Sequence, residues 1–146
     1  MSMQQVLDIE EIKRLKAQYV RFGDTKQWDK WGQLFTDDVT FKSEGSARLK
    51  PDDPTSQAFQ GIANKIEDVK RRFASVTTIH QIYAPEITLT SASTAEGIWA
   101  FHDHLISPNG VFKGWGHYHE KYAKQRGIWK ICAVHYTRIH VEETWI

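Results

Sequence analysis

The stretch from Thr94 to Lys124, TAEGIWAFHDHLISPNGVFKGWGHYHEKYAK, decides the fold. It alternates with period two on both sides of Asn109-Gly110. Before the turn, Ala95, Gly97, Trp99, Phe101 and Leu105 share one face, and Thr94, Glu96, Ile98, Ala100, His102, His104 and Ile106 share the other. After it, Phe112, Gly114, Gly116, Tyr118 and Tyr122 stand opposite Trp115, His117, His119 and Lys121. An Asn-Gly pair between two such runs signals a tight hairpin, because both central residues must tolerate positive φ. Strands this long, with aromatic residues on both faces, are unsuited to a flat, half-exposed sheet. Gly97, Gly114 and Gly116 permit sharp coiling, so the expectation is a strongly curved sheet enclosing a pocket. One face would cover helices and the pocket, and the other would meet a partner subunit in a homodimer or homotrimer.

Working outward, Arg126-Gly127 marks a second reversal before the strand-like run Trp129 to Val141. Upstream, Thr77 to Tyr83 reads as a strand that can continue through Ile87-Thr88-Leu89, and adjacent antiparallel pairing is the economical topology. The N-terminal third has helical period instead. Ile9, Ile12, Leu15, Tyr19 and Phe22 form an apolar stripe over residues 8 to 23, with Asp8 as N-cap, Glu11 completing a capping box and Gly23 as the stop. A short helix, Asp29 to Phe35, leads to a strand, Val39 to Lys42. Ser43 to Phe59 reads as a long loop that forms a lid or rim, and a third helix runs from Ile62 to Phe73. The fold class is α+β: N-terminal helices packed on a mixed or mostly antiparallel sheet, in one domain spanning residues 1 to 146.

Composition narrows the function. With 146 residues, 40% hydrophobic and 25% charged, the chain has the make-up of a globular domain, not of a disordered or membrane protein. The formal charge of +1 provides no field for nucleic acid, and Lys70-Arg71-Arg72 reads as the solvated end of a helix. No apolar run is long enough for a membrane span, and the first residues lack the pattern of a secretory signal, so the expected location is cytoplasmic. A single cysteine, Cys132, lies in a strand-like run and is expected to be buried filler. No phosphate-binding glycine loop, nucleophile elbow or zinc-protease motif is present, and no cofactor is implied.

Asp24 and His80 are the best candidates for chemistry. A carboxylate bound to one imidazole nitrogen fixes the tautomer and leaves the other nitrogen free to act as a base. Asp24 follows the first helix and His80 lies in the Thr77 strand, elements that can meet at the open end of a helix-covered sheet. The plainer alternative is that Asp24 caps the following turn and His80 is an ordinary strand residue. Tyr19, Trp28, Trp99, Phe101 and Tyr118 are candidates to line a pocket for a small hydrophobic ligand. His102, His104, His117, His119, His135 and His140 could in principle supply imidazoles to a metal, but their alternation sets them on the face opposite the pocket. A sheet surface or subunit interface is the simpler place for them.

The chain resembles the SnoaL-like branch of the nuclear transport factor two-like superfamily, a cone-shaped α+β barrel. The resemblance rests on the opening helix through Tyr19 and Asp24, the Trp28 to Phe35 helix with Asp37-Asp38-Val39, and Thr78-Ile79-His80. It continues through Ala95 to Trp99, Gly116 to Tyr122 and Gly127 to Ile131. Within that superfamily it is similar to scytalone dehydratase and hexachlorocyclohexane dehydrochlorinase, whose aspartate follows the first helix and whose histidine lies on the strand after the third. The resemblance implies a cofactor-independent lyase or isomerase acting on a small cyclic metabolite, with His80 as base supported by Asp24. It also leaves open a polyketide cyclase, a noncatalytic binding protein, or an accessory subunit of a ring-hydroxylating dioxygenase-like assembly.

Overall fold

Ser2, not Asp8, starts the first helix. Ser2 Oγ accepts from the Gln5 backbone N–H at 3.1 Å, and Gln5 Oε1 accepts from the Ser2 N–H at 2.8 Å, a complete capping box upstream of the one the sequence pattern suggests at Asp8. The computed structural model describes residues 1–146: helices α1 (Met3–Asp24), α2 (Trp28–Gly32) and α3 (Ile62–Arg72), and strands β1 (Phe35–Glu44), β2 (Ser56–Gln60), β3 (Thr77–Leu89), β4 (Thr94–Ser107), β5 (Gly110–Gln125) and β6 (Ile128–Trp145). Asp8 is inside α1 and buried. Its Oδ1 accepts from Trp129 Nε1 at 3.0 Å, Lys124 Nζ at 3.1 Å and Gln4 Nε2 at 3.0 Å, tying the helix to β5 and β6. The Trp129 hydrogen bond, with help from Lys124 and Gln4, holds the Asp8 carboxyl below its ordinary range against the opposing effect of burial.

The sheet has six strands in the order β2-β1-β6-β5-β4-β3. From β3 to β6 neighbours in sequence pair antiparallel, as expected, and β1 pairs antiparallel with β2. The β1–β6 pair is parallel, which makes the sheet mixed. The strongly curved, cone-shaped barrel expected from the sequence does not form. β2 and β3 are the two ends of an open sheet and do not pair with each other. The glycines read as coiling points serve close approach instead. A Cβ on Gly97 would stand 2.8 Å from Tyr122 Oη, one on Gly114 would collide with Arg138 Nη1, and one on Gly116 would collide with the Thr137 carbonyl oxygen beside a bulge. β3 carries Pro85 at its own register shift, tolerable because β3 is an edge and that residue needs no ladder N–H.

Helices and inner sheet face share one core. Ile12, Leu15 and Phe22 of α1, Trp31 of α2 and Val69 of α3 pack with Val39, Phe41, Trp99, Phe101, Tyr118, Tyr122, Trp129 and Ile131. The segment after β1 is not a free loop. Arg138 Nε donates to Gly45 O at 2.9 Å, Arg72 Nη2 to Ala47 O at 3.2 Å and Asn109 Nδ2 to Leu49 O at 2.9 Å. These three bonds pin it as a rim at the end of the sheet. No helix is long and apolar enough to cross a membrane.

A lysine and a glutamate lie inside this core. Lys16 Nζ donates to Glu120 Oε2 at 2.6 Å, and both side chains are 0% exposed. Glu120 Oε1 accepts from Tyr122 Oη at 2.7 Å, which in turn accepts from Trp99 Nε1 at 2.9 Å. The ammonium also sits over the Tyr19 and Tyr118 rings, 3.6 and 3.3 Å from their centroids. Desolvation pushes the Lys16 pKa down to about 8, although Glu120 opposes the shift. Removing one partner would strand the other charge in a dry interior. Lys16→Met is therefore expected to cost roughly 3–5 kcal/mol, read from urea unfolding at neutral pH.

Candidate active site

Helix α1 ends where β3 begins, and that junction builds the site. Asp24 is the last residue of α1, and its carboxylate receives three donors from the start of β3 beside it. Thr78 Oγ1 donates to Oδ1 at 3.0 Å, the His80 backbone N–H to Oδ2 at 2.8 Å, and His80 Nδ1 lies 2.6 Å from Oδ1. Thr78 and His80 are two apart on a strand, so their side chains leave the same face and reach the same carboxylate. An ionised carboxylate only accepts, so the Nδ1–H of the imidazole is the donor and Nε2 is the nitrogen left for a ligand. His80 is partly buried, with 22% of its side chain exposed.

The imidazole faces a cavity of about 90 Å³ between the helices and the inner sheet face. Tyr19, Trp28, Phe101 and Tyr118, all expected from the sequence to bind substrate, line it together with Trp31 and Tyr136. Trp99 does not. It is buried in the core on the same face of β4, with its indole N–H committed to Tyr122. The Tyr19 and Tyr118 rings meet edge to face at 5.7 Å. Burial, the largest cause, pushes both hydroxyls well above the ordinary tyrosine range, so they remain donors.

Sequence reasoning missed the charged part of this wall. Asp103 sits opposite His80 in the β3–β4 register and lines the same cavity. It is held by a two-pronged ion pair, Arg138 Nη1 to Oδ1 at 2.6 Å and Nη2 to Oδ2 at 3.0 Å. Its position was legible: it falls between Phe101 and Leu105 on the buried face of β4. From α3, Lys65 and Arg72 also line the cavity. Arg72 is thus not part of a solvated helix end, since only 18% of its side chain is exposed.

The other sequence candidates lie elsewhere. The outer face of the sheet carries His102, which stacks on Trp115 at 4.6 Å, and Trp115 stacks in turn on His140 at 5.5 Å. His102 Nδ1 is bonded to Gly114 O at 2.7 Å. No three His, Cys, Asp or Glu side chains converge in a metal-binding arrangement. Cys132 on β6 is half-buried, not enclosed, and burial pushes its thiol upward.

A family model described as a SnoaL-like domain matches residues 4–135. The protein named Probable cyclase FGR4 from Gibberella zeae is 28% identical over 138 residues, covering 88% of this chain and 89% of that protein. A candidate scytalone dehydratase from Novosphingobium aromaticivorans superposes with a TM-score of 0.81 at 14% identity, over 100% of this chain and 93% of the other. The type 3 hexachlorocyclohexane dehydrochlorinase from Novosphingobium barchaimii superposes with a TM-score of 0.80 at 16% identity, over 97% and 93% of the two chains. At these identities the two solved structures establish a shared fold.

Thr78 tests the geometry without touching the imidazole. Thr78→Val removes one of three donors to Asp24 and is expected to cost about 1 kcal/mol in thermal or urea unfolding. A crystal structure of the variant should still show the carboxylate on His80.

Proposed function

The chain belongs to the SnoaL-like family, and on that premise we propose that it is a cofactor-independent lyase or isomerase for a small hydrophobic, cyclic metabolite. The observation that carries this reading is the 2.6 Å contact between Asp24 and His80 Nδ1, on an imidazole that lines a largely apolar cavity. His80 Nε2 takes a proton from a carbon of the substrate. Asp24 holds the ring in the required tautomer and stabilises the imidazolium that results. In an elimination, the electrons of the broken C–H bond become a C=C bond as the leaving group departs with its own bonding pair. In an isomerisation the same proton returns to a different carbon. Tyr19, Trp28, Phe101 and Tyr118 shape the apolar part of the enclosure, and the protonated tyrosine hydroxyls can donate to a substrate oxygen.

An aldol-type ring closure is the second reading, favoured by the relative from Gibberella zeae whose name denotes a cyclase. It requires the same first step. The carbanion then attacks a carbonyl carbon of the same molecule, and the carbonyl oxygen takes up a proton.

Both readings predict that His80→Ala lowers turnover by about 10²–10⁴-fold, the usual contribution of a positioned general base, with the fold retained. The assay is a panel of dehydration, dehydrohalogenation, isomerisation and cyclisation substrates followed by mass spectrometry. Unchanged turnover of any substrate so identified would contradict the role given to His80.

A further inference from the structure

Helix α3 brings a second chemical feature to the cavity. Lys65, Val69, Arg72 and Phe73 recur at three- and four-residue steps and line it. Lys65 Nζ stands 3.5 Å from Asp68 Oδ2, and Arg72 Nη1 stands 3.7 Å from the same oxygen. Both contacts are long for charge-assisted hydrogen bonds, which run to about 2.9 Å. Asp68 Oδ2 is accordingly buried with no hydrogen-bond partner. The Lys65 side chain is only 16% exposed. Its ammonium is otherwise flanked by the Phe59 and Phe41 rings, 4.4 and 5.2 Å from their centroids. Arg72 spends its N–H groups on neutral acceptors, Ala47 O at 3.2 Å and Gln57 Oε1 at 3.4 Å.

The charges do not balance at this end of the cavity. Two cations share one carboxylate, and Arg71 adds a third contact to Asp68 from the solvent side. The other acids near the cavity already have close partners, Asp103 the Arg138 guanidinium and Asp24 the hydrogen bonds of Thr78 and His80. A nearly buried ammonium without short hydrogen bonds is costly, and an oxyanion beside it would supply the missing acceptor.

We infer that Lys65 and Arg72 form an anion-holding end of the cavity, so that the molecule it takes carries an anionic oxygen, a carboxylate or an ionised enol, beside its apolar ring. The inference rests on the cavity being the substrate site, and it adds a chemical class to that reading. Lys65 and Arg72 are positioning residues. They hold the oxygen while the ring lies among Trp28, Trp31 and Phe101, in the same enclosure that His80 faces.

Desolvation pushes the Lys65 pKa down to about 8, with Arg72 lowering it further and Asp68 opposing. The groups facing it are Asp68 and Arg72 from its own helix and Phe41 and Phe59 from β1 and β2. Across the cavity lie Tyr19, His80, Asp103, Tyr118 and Tyr136. Below about 8 the ammonium is charged and anion binding is at full strength; as pH rises through that value Lys65 loses its proton and affinity falls.

The test is calorimetric binding of benzoate against benzamide, an isosteric pair that differs in charge, after thermal melting has verified each variant. The wild type is expected to prefer benzoate by about tenfold, the value of one charge-assisted hydrogen bond. Lys65→Met and Arg72→Gln should each erode that preference. Raising the pH should weaken benzoate binding in the wild type and much less in Lys65→Arg. His80→Ala should keep the preference, which separates this inference from the role of His80: in that variant a retained preference with unchanged turnover would sink the base and leave the anion end standing. Equal affinity for the pair, binding of neither, or a preference that survives both Lys65→Met and Arg72→Gln would overturn the inference. If Lys65→Met fails to fold, Arg72→Gln and the wild-type pH series decide it.

Discussion

The carboxylate of Asp24 is the constraint on which the site depends. It is the last residue of a 22-residue helix and the acceptor for a side-chain hydroxyl, a backbone N–H and an imidazole of the neighbouring edge strand. Three donors on two oxygens allow little freedom of rotation. The same contact joins α1 to the start of β3, so packing of the helix and orientation of the ring are one event. The position of β3 matters too. An edge strand needs only one ladder partner, which leaves its other side open to the helix end and lets the bulge near Pro85 be absorbed without breaking the sheet.

Charges inside this protein fall into two kinds. Lys16 with Glu120, and Arg138 with Asp103, are close pairs whose oxygens and nitrogens meet at 2.6 Å. Such pairs are expensive to bury and lose that expense only with good geometry. They frame the cavity from behind and from the side: Lys16 braces the two tyrosine rings, and Arg138 grips Asp103 while binding the rim at Gly45. His80, Lys65 and Arg72 differ. Each lines the cavity with capacity left over, which is where the chemistry of a ligand would be met. The division between matched and unmatched groups, more than burial alone, sets the cavity wall apart from the core.

Much of this was legible in the sequence, and the failures have physical causes. Period two in β4 and β5 identifies the central hairpin because the signal is local, although its loop residues are Pro108 and Asn109, and Gly110 already pairs with Ser107. The closeness of Asp24 and His80 could be suspected only from the order of elements. Pairing of β1 with β6 joins residues about ninety apart, and no local pattern encodes a parallel contact of that kind. Lys16 is invisible to a helical stripe read from apolar residues, although its partner Glu120 sits between Tyr118 and Tyr122 on the buried face. Arg72 is hidden in the same way, because a run of three basic residues reads as solvated. Trp99 belongs to the core and not the pocket; an aromatic residue on the inner face can serve either, and only packing distinguishes them. Closure of the sheet was inferred from glycines that instead make room for Tyr122, Arg138 and the Thr137 carbonyl.

The central claim is that Asp24 holds the His80 ring in one tautomer with its other nitrogen presented to the cavity. Nitrogen-15 NMR of the imidazole observes this directly. The account predicts that the neutral His80 ring carries its proton on Nδ1, hydrogen-bonded to a carboxylate, with Nε2 bare, and that Asp24→Asn disturbs this state. A ring protonated on Nε2, or one whose signals are unchanged by Asp24→Asn, would contradict it.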